Sequence, residues 1–201
     1  MFKQLFCILL LMTLMFSYSC QKEPVSLTRP EALDILKKKP KTLTSSSNSD
    51  ADLDNQIFLG FRMGMDNKQV RKHVTQLHKK GVMRRVPTGD DTFRYVYDIK
   101  LPSGDKTTLI FNDNYEDDVL YRISCTPQLT KDLKFDELWT QMGDLLTAMY
   151  GEKSISYKGP DCEGNLWLKG DVMIEQKCWD GDQKIEFSDA AHLLGVETLG
   201  L

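Results

Sequence analysis

His73, His78 and His192 are the only histidines of the chain, and Cys125, Cys162 and Cys178 are the cysteines beyond its N-terminal end. These side chains could in principle support nucleophilic or metal chemistry. Nucleophilic catalysis needs a nucleophile within reach of a base and a third group that orients the base. His73 and His78 stand five residues apart, which on a helix turns them about 140° away from each other, so they share no metal-binding face. No Gly-x-Ser-x-Gly, His-Glu-x-x-His or glycine-rich phosphate loop occurs. The pattern predicts no catalytic residue, no metal site and no cofactor.

The cysteines point instead to a crosslink. A hairpin about Gly170 brings Leu168 opposite Val172, Leu166 opposite Ile174 and Cys162 opposite Cys178. A Cys162–Cys178 disulfide would close a loop of about 15 residues and contribute about 3 kcal/mol. Pairing of Cys125 with Cys178 is the alternative. Otherwise Cys125, on the apolar face of its strand, is a buried thiol. Asn112, Asp113, Asn114, Glu116, Asp117 and Asp118 gather at an expected turn without the spacing of a calcium loop, and read as a solvated hairpin tip.

Charge is distributed unevenly. The whole chain carries −3, yet residues 66–85 hold seven basic side chains (Lys68, Arg71, Lys72, Lys79, Lys80, Arg84 and Arg85) against the single acid Asp66. Such a segment could meet an acidic protein patch, an anionic polymer or lipid head groups. It lacks the interleaved aromatics of a nucleic-acid groove, and no nucleic acid is expected as a partner. The candidate contacts are Lys68, Arg71, Lys72 and Lys79, with Trp167 and Trp179 as exposed aromatics.

The elements that must position these residues follow from periodicity. With 201 residues, 41% hydrophobic and 27% charged, the chain has a globular composition. Asp66 with Gln69 forms a capping box, and Val70, Val74 and Leu77 form one stripe of a helix over about 67–80 that ends at Gly81. Alternation predicts strands at Phe93–Leu101, Thr107–Phe111 and Val119–Cys125, with turns at Pro102–Asp105 and Asn112–Asn114. A second helix carries the stripe Phe135, Leu138, Trp139, Met142, Leu145, Leu146 and Met149. Strands follow at about 154–158, 164–169, 172–179 and 183–188, and Ser188 then caps a short terminal helix. The order predicts an α+β domain over 56–201, in which two helix-plus-antiparallel-meander units form one sheet with helices packed on one face.

The N-terminus differs in kind. Leu5 to Phe16 is apolar apart from Thr13, and follows Lys3. Twelve helical residues span about 18 Å, short of a bilayer core, which suits a signal peptide over 1–19 better than a membrane span. Ser17-Tyr18-Ser19-Cys20 resembles a lipobox of the Bacteroidetes type, and Gln21-Lys22-Glu23 is similar to the start of the surface-export signal of those lipoproteins. The resemblance implies a diacylglyceryl, palmitate-bearing Cys20 and an outer-membrane lipoprotein, on its periplasmic or surface face. Residues 20–55 then read as a lipidated flexible stalk with a possible short helix at 29–39, opened by the capping box Thr28-x-x-Glu31 and stopped by Pro40. Gly64-Met65-Asp66-Asn67-Lys68-Gln69-Val70 is similar to the helix entry of the β-lactamase-inhibitor proteins and the BamE-type lipoproteins. That likeness implies a tandem α/β fold and an assembly or inhibitory role. The expected function is therefore a lipid-anchored, macromolecule-binding envelope module. The alternative is a small-ligand carrier or hydrolase with a pocket between helix and sheet.

Overall fold

The computed structural model describes residues 27–38, 57–89, 92–153 and 155–195. Cys20, the signal segment 1–19 and the greater part of the expected stalk lie outside the described residues. In chain order the elements are α1 (Arg29–Lys38), a 3₁₀ turn (Phe58–Gly60), α2 (Asn67–Lys79), β1 (Arg84–Gly89), β2 (Thr92–Lys100), β3 (Lys106–Glu116), β4 (Val119–Pro127), α3 (Phe135–Tyr150), β5 (Ile155–Lys158), β6 (Glu163–Lys169), β7 (Val172–Trp179), β8 (Asp182–Asp189) and α4 (Ala190–Leu194).

The strands form one antiparallel sheet in the order β1-β2-β3-β4-β8-β7-β6-β5. The two units are thus joined through their last strands, β4 and β8, with Ile123 opposite Phe187 and Ser124 opposite Glu186. The fold is α+β and repeats helix and meander, as the periodicity predicts. The first meander has four strands rather than three. β1 escapes a pattern search because Arg84-Arg85-Val86-Pro87 does not alternate, and Pro87 is tolerated there because β1 is an edge strand.

α2 and α3 cover one face. Val70 and Leu77 of α2 and Leu138, Met142 and Leu146 of α3 are buried with Leu109, Ile123, Cys125, Ile174 and Phe187 of the sheet. Between the two helices Phe58 stacks near Phe111 and Phe187, with ring centroids 6.2 and 6.3 Å away. α1 and α4 lie on the opposite face, where Ala32, Leu36 and Ala190 are buried with Tyr157, Leu166 and Met173. Residues 27–38 are therefore docked against the domain and are no part of a free stalk. The Lys158 N–H donates to the Leu27 carbonyl (2.6 Å), so the segment before α1 also borders the edge strand β5.

Capping chemistry explains the helix starts. The Gln69 N–H donates to Asp66 Oδ1 (2.7 Å) and the Asp66 N–H to Gln69 Oε1 (2.9 Å). At α1 the Thr28 N–H and hydroxyl both donate to Glu31 Oε2 (2.8 Å each). α4 is capped by Asp189, not Ser188: its carboxylate receives the His192 N–H at 2.8 Å.

Turn chemistry corrects three expectations of register. β3 runs through Asn112–Asn114, and the turn falls at Asp117-Asp118, both with positive φ (49° and 65°). That is the two-residue geometry whose twist matches a hairpin. In β4, Tyr115 faces Leu120 while Asn114 faces Arg122, so Tyr121 is an extra, bulged residue. The bulge moves Leu120 into the core and leaves Val119 exposed. Finally, Gly170-Asp171 is a two-residue loop that sets Lys169 opposite Val172 and Trp167 opposite Ile174. A one-residue change of register exchanges the faces of a strand. Trp167 is accordingly 1% exposed in the core, not on the surface as expected, and Leu166 faces α1.

Candidate functional site

The histidines are occupied in local structure. His73 Nε2 donates to the Leu59 carbonyl (2.9 Å) and the ring lies edge-on to Phe61. His78 Nδ1 donates to the Met83 carbonyl (3.0 Å). His192 Nδ1 is 2.9 Å from Glu116 Oε2, and its ring lies over Tyr121. Cys125 is fully buried, and burial pushes its thiol well above the ordinary range. No group of three or more metal-ligating side chains is found among the described residues.

The Cys162–Cys178 disulfide is present, with Cα atoms 5.8 Å apart. Its partners are not opposed in register, as the expected hairpin would have them. The β6–β7 ladder stops at Asn165 opposite Gln176, Cys178 faces Gln183 of β8, and Cys162 stands in the bend before β6. The bridge therefore holds the turn-distal end of the β6–β7 hairpin together after its backbone pairing has ended.

The equivalent place in the first unit is open. β2 and β3 pair from Lys100–Lys106 up to Val96–Ile110, and the ladder ends there. Beyond it, Phe93, Arg94 and Tyr95 pair with β1, while Phe111, Asn112 and Asp113 pair with β4. The strands part, and a cavity of about 450 Å³ lies between them beneath α2. Its walls are Phe93, Arg94 and Tyr95 of β2, Phe111, Asn112 and Asp113 of β3, and Val70, Arg71, Val74 and Thr75 of α2, with Phe61, Met83 and Ile123 completing the lining. The interface under α3 is closed by comparison: the void among Cys125, Met142, Leu146 and Phe187 is about 10 Å³. Two sheet amides also fasten α3, since Gln176 Nε2 donates to the Trp139 carbonyl (2.8 Å) and Gln183 Nε2 to the Phe135 carbonyl (2.7 Å).

The cleft has an apolar interior and a basic mouth. Arg71 and Arg94 are exposed, and neither forms a salt bridge with a carboxylate among the described residues. Arg85 stacks on the exposed Phe93 ring at 3.4 Å. Asp113 is the one acid in the lining, and it accepts the Tyr115 hydroxyl at 2.5 Å. This combination of apolar walls and a few polar groups, at this volume, is typical of a ligand site.

The expected contact residues fall into separate places. Lys68, Lys72 and Lys79 are exposed on α2 and, at about 100° per residue, lie within about 40° of one another on its outer side. Arg71 is turned toward the cleft. Arg84 and Arg85 belong to β1, and Arg84 is neutralised by Asp98 through bonds of 2.7 and 2.9 Å. Trp179 is 60% exposed at the end of β7, with Lys184 Nζ 5.4 Å above its ring. The sequence carries no signal for the cleft itself, because it arises from a ladder that stops, not from a motif. Compared with family models, curated proteins and solved structures, the chain matches none.

Proposed function

We propose that the chain is a lipid-anchored cell-envelope protein whose α+β domain binds another macromolecule through the cleft under α2 and carries no catalytic machinery of its own. The observation that carries this reading is the cavity of about 450 Å³ between β2 and β3, apolar inside and edged by Arg71. The lysines Lys68, Lys72 and Lys79 extend the positive surface beyond the cleft and favour an acidic protein or anionic polymer through long-range attraction. Cys20 serves as the lipid anchor to the outer membrane. The disulfide supports an oxidising compartment, and no helix among the described residues is long and apolar enough to cross a membrane. A small-ligand carrier is the second reading, favoured by the volume of the same cavity.

Site-specific photocrosslinking in the native envelope tests the proposal. A benzophenone side chain at Phe93, beside the cleft, is expected to give a macromolecular adduct, and one at Trp179, at the end of β7, is not. Adducts from Trp179 alone would move the site away from the cleft, and none from either would remove the macromolecule-binding reading. Palmitate labelling that survives Cys20→Ala would remove the anchor.

A further inference from the structure

We infer that the occupant of the cleft is an extended peptide segment of a partner protein, added as a strand along the free edge of β3 and carrying an acidic group received by Arg71; this rests on the cleft being the binding site.

Three observations lead there. The first is backbone. β3 continues as a strand from Phe111 to Glu116 after its pairing with β2 has ended, and β2 is already a strand from Thr92 to Tyr95 before that pairing begins. Each is paired on its other side, with β4 and β1 respectively. Two strand edges thus border one gap, each offering alternate N–H and carbonyl groups to it. A strand edge without a partner is a template for another chain. The free stretch of β3, Phe111 to Asn114, would pair about four residues, roughly 13 Å at ~3.3 Å each. A peptide seated between antiparallel neighbours runs parallel to one and antiparallel to the other.

The second observation is the contrast between the units. The same hairpin end is fastened by Cys162–Cys178 in the second unit and left open in the first. The outer edges of the sheet are guarded as well, by Pro87 on β1 and by Leu27 alongside Lys158 of β5. The gap between β2 and β3 has neither crosslink nor proline at Thr92–Val96 or Ile110–Asn114.

The third is side-chain chemistry. On an inserted strand alternate residues point to opposite faces of the sheet. Those turned toward α2 would meet Val70, Val74 and Phe111, which suits apolar groups. Arg71, on the α2 side of the same cavity, is a cation without a carboxylate partner among the described residues, whereas Arg94 alternates with Tyr95 and belongs to the opposite face of the sheet. A guanidinium binds a carboxylate through two parallel hydrogen bonds, which would fix the register of the incoming strand.

The probe is a library of random dodecapeptides displayed on phage and selected on the immobilised mature protein. The peptides recovered are then synthesised with single N-methyl groups at successive amides, which remove a backbone donor and leave the side chain in place. Strand addition predicts alternating apolar residues with at least one acid, and a loss of at least tenfold in affinity on N-methylation at alternate positions. Bound peptide should slow amide exchange at Phe111–Asn114. Arg71→Glu should weaken binding at least tenfold, and so should Thr75→Trp, an exposed position at the mouth. Peptides that bind with no sensitivity to N-methylation would overturn strand addition. Failure to recover any peptide, with the Phe93 crosslink still formed, would overturn the peptide inference and leave the cleft as the site. Loss of the Phe93 crosslink would remove the reading on which both rest.

Discussion

Arg29 grips Glu175 with both arms of its guanidinium: Nε lies 2.6 Å from Oε1 and Nη2 lies 2.9 Å from Oε2, across 146 residues of sequence. Glu175 is buried at the centre of the sheet face that α1 covers, and it also accepts the Tyr157 hydroxyl at 2.6 Å. Its cross-strand neighbour is another carboxylate, Glu186. Lys177 bridges the two, at 3.4 Å from Glu175 and 2.6 Å from Glu186. Like charges directly opposite on a sheet repel, so this network needs its cations. α1 brings one of them from outside the repeat.

Removing Arg29 is therefore expected to destabilise the protein through Glu175 more than through lost packing. Breaking a buried ion pair costs roughly 3–5 kcal/mol. Arg29 is partly exposed and Lys177 remains, so the loss for Arg29→Ala should fall at or below the low end of that range. Arg29→Met combined with Glu175→Gln should recover most of it, because no buried charge is then left unpaired. Urea midpoints of the parent and the two variants check this, and an Arg29→Ala value within about 0.5 kcal/mol of the parent would show that α1 is held by its apolar contacts alone.

The same carboxylate sets a pH dependence. Burial pushes the Glu175 carboxyl up, but Arg29, Lys177 and Tyr157 together hold it below its ordinary value. On the exposed side, Arg84 and Thr108 hold Asp98 down at about 2. Groups whose folded values are depressed add stability above their unfolded values, near 4 for both carboxylates, and lose it as pH falls toward the folded ones. Stability should thus be flat near neutrality and decline below about pH 4.5. In Arg29→Ala burial has less to oppose it, so the Glu175 carboxyl rises toward or past its unfolded value. The stability it added is then already missing at neutral pH, and the acid decline should be shallower than in the parent. Asp98→Asn should change it little, since an exposed pair contributes about 1 kcal/mol or less. Midpoints measured from pH 7 to 2.5 give the comparison, and an acid limb in Arg29→Ala as steep as the parent's would contradict it.

What could be read from the sequence divides along a physical line. The Asp66–Gln69 capping box and most of the α3 stripe are legible because each is fixed within a single helix, although Met149 at the end of the stripe is exposed. Trp167 was misplaced because its face depends on whether the Gly170 loop has two residues or three, and one residue reverses the strand. α1 resembled a stalk because its stripe is thin. The partners that hold it, Glu175, Tyr157 and Met173, lie more than a hundred residues away. The cleft was least legible of all. Phe93 and Tyr95 alternate as any paired strand would, and nothing local marks that β3 departs from them after Ile110.

Reduction of Cys162–Cys178 should lower stability by about 3 kcal/mol, as for a loop of about 15 residues. At ~2–4 °C per kcal/mol for a chain of this size, the melting temperature should fall by roughly 6–12 °C. Because the bridge replaces backbone pairing beyond Asn165–Gln176, amide exchange at Glu163, Gly164 and Lys177 should rise with it. Cys125 should remain unalkylated in the reduced native protein and react only on unfolding, since it is buried and its thiol resists ionisation. Site-resolved alkylation followed by mass spectrometry separates these cases, and rapid native labelling of Cys125 would refute its burial.

Gly164 provides the most local test of the Glu175 network. It faces Tyr157 across the β5–β6 ladder, and a methyl group there would collide with the Tyr157 ring carbons. The ring is buried and its hydroxyl is committed to Glu175, so it cannot swing aside without breaking that bond. Tyr157→Phe removes only the hydroxyl, a hydrogen bond to a charged group worth about 1.5–3 kcal/mol. Gly164→Ala must lose that bond and also disturb the packing of Leu166 and Met173 around the ring, so it should cost more. Replacing the ring should relieve the clash. In a Tyr157→Leu background Gly164→Ala should therefore be markedly cheaper than in the parent, a coupling of the kind found between residues in direct contact. Additive losses in the double-mutant cycle would mean that the ring shifts freely, and that Glu175 does not depend on Tyr157 for its place.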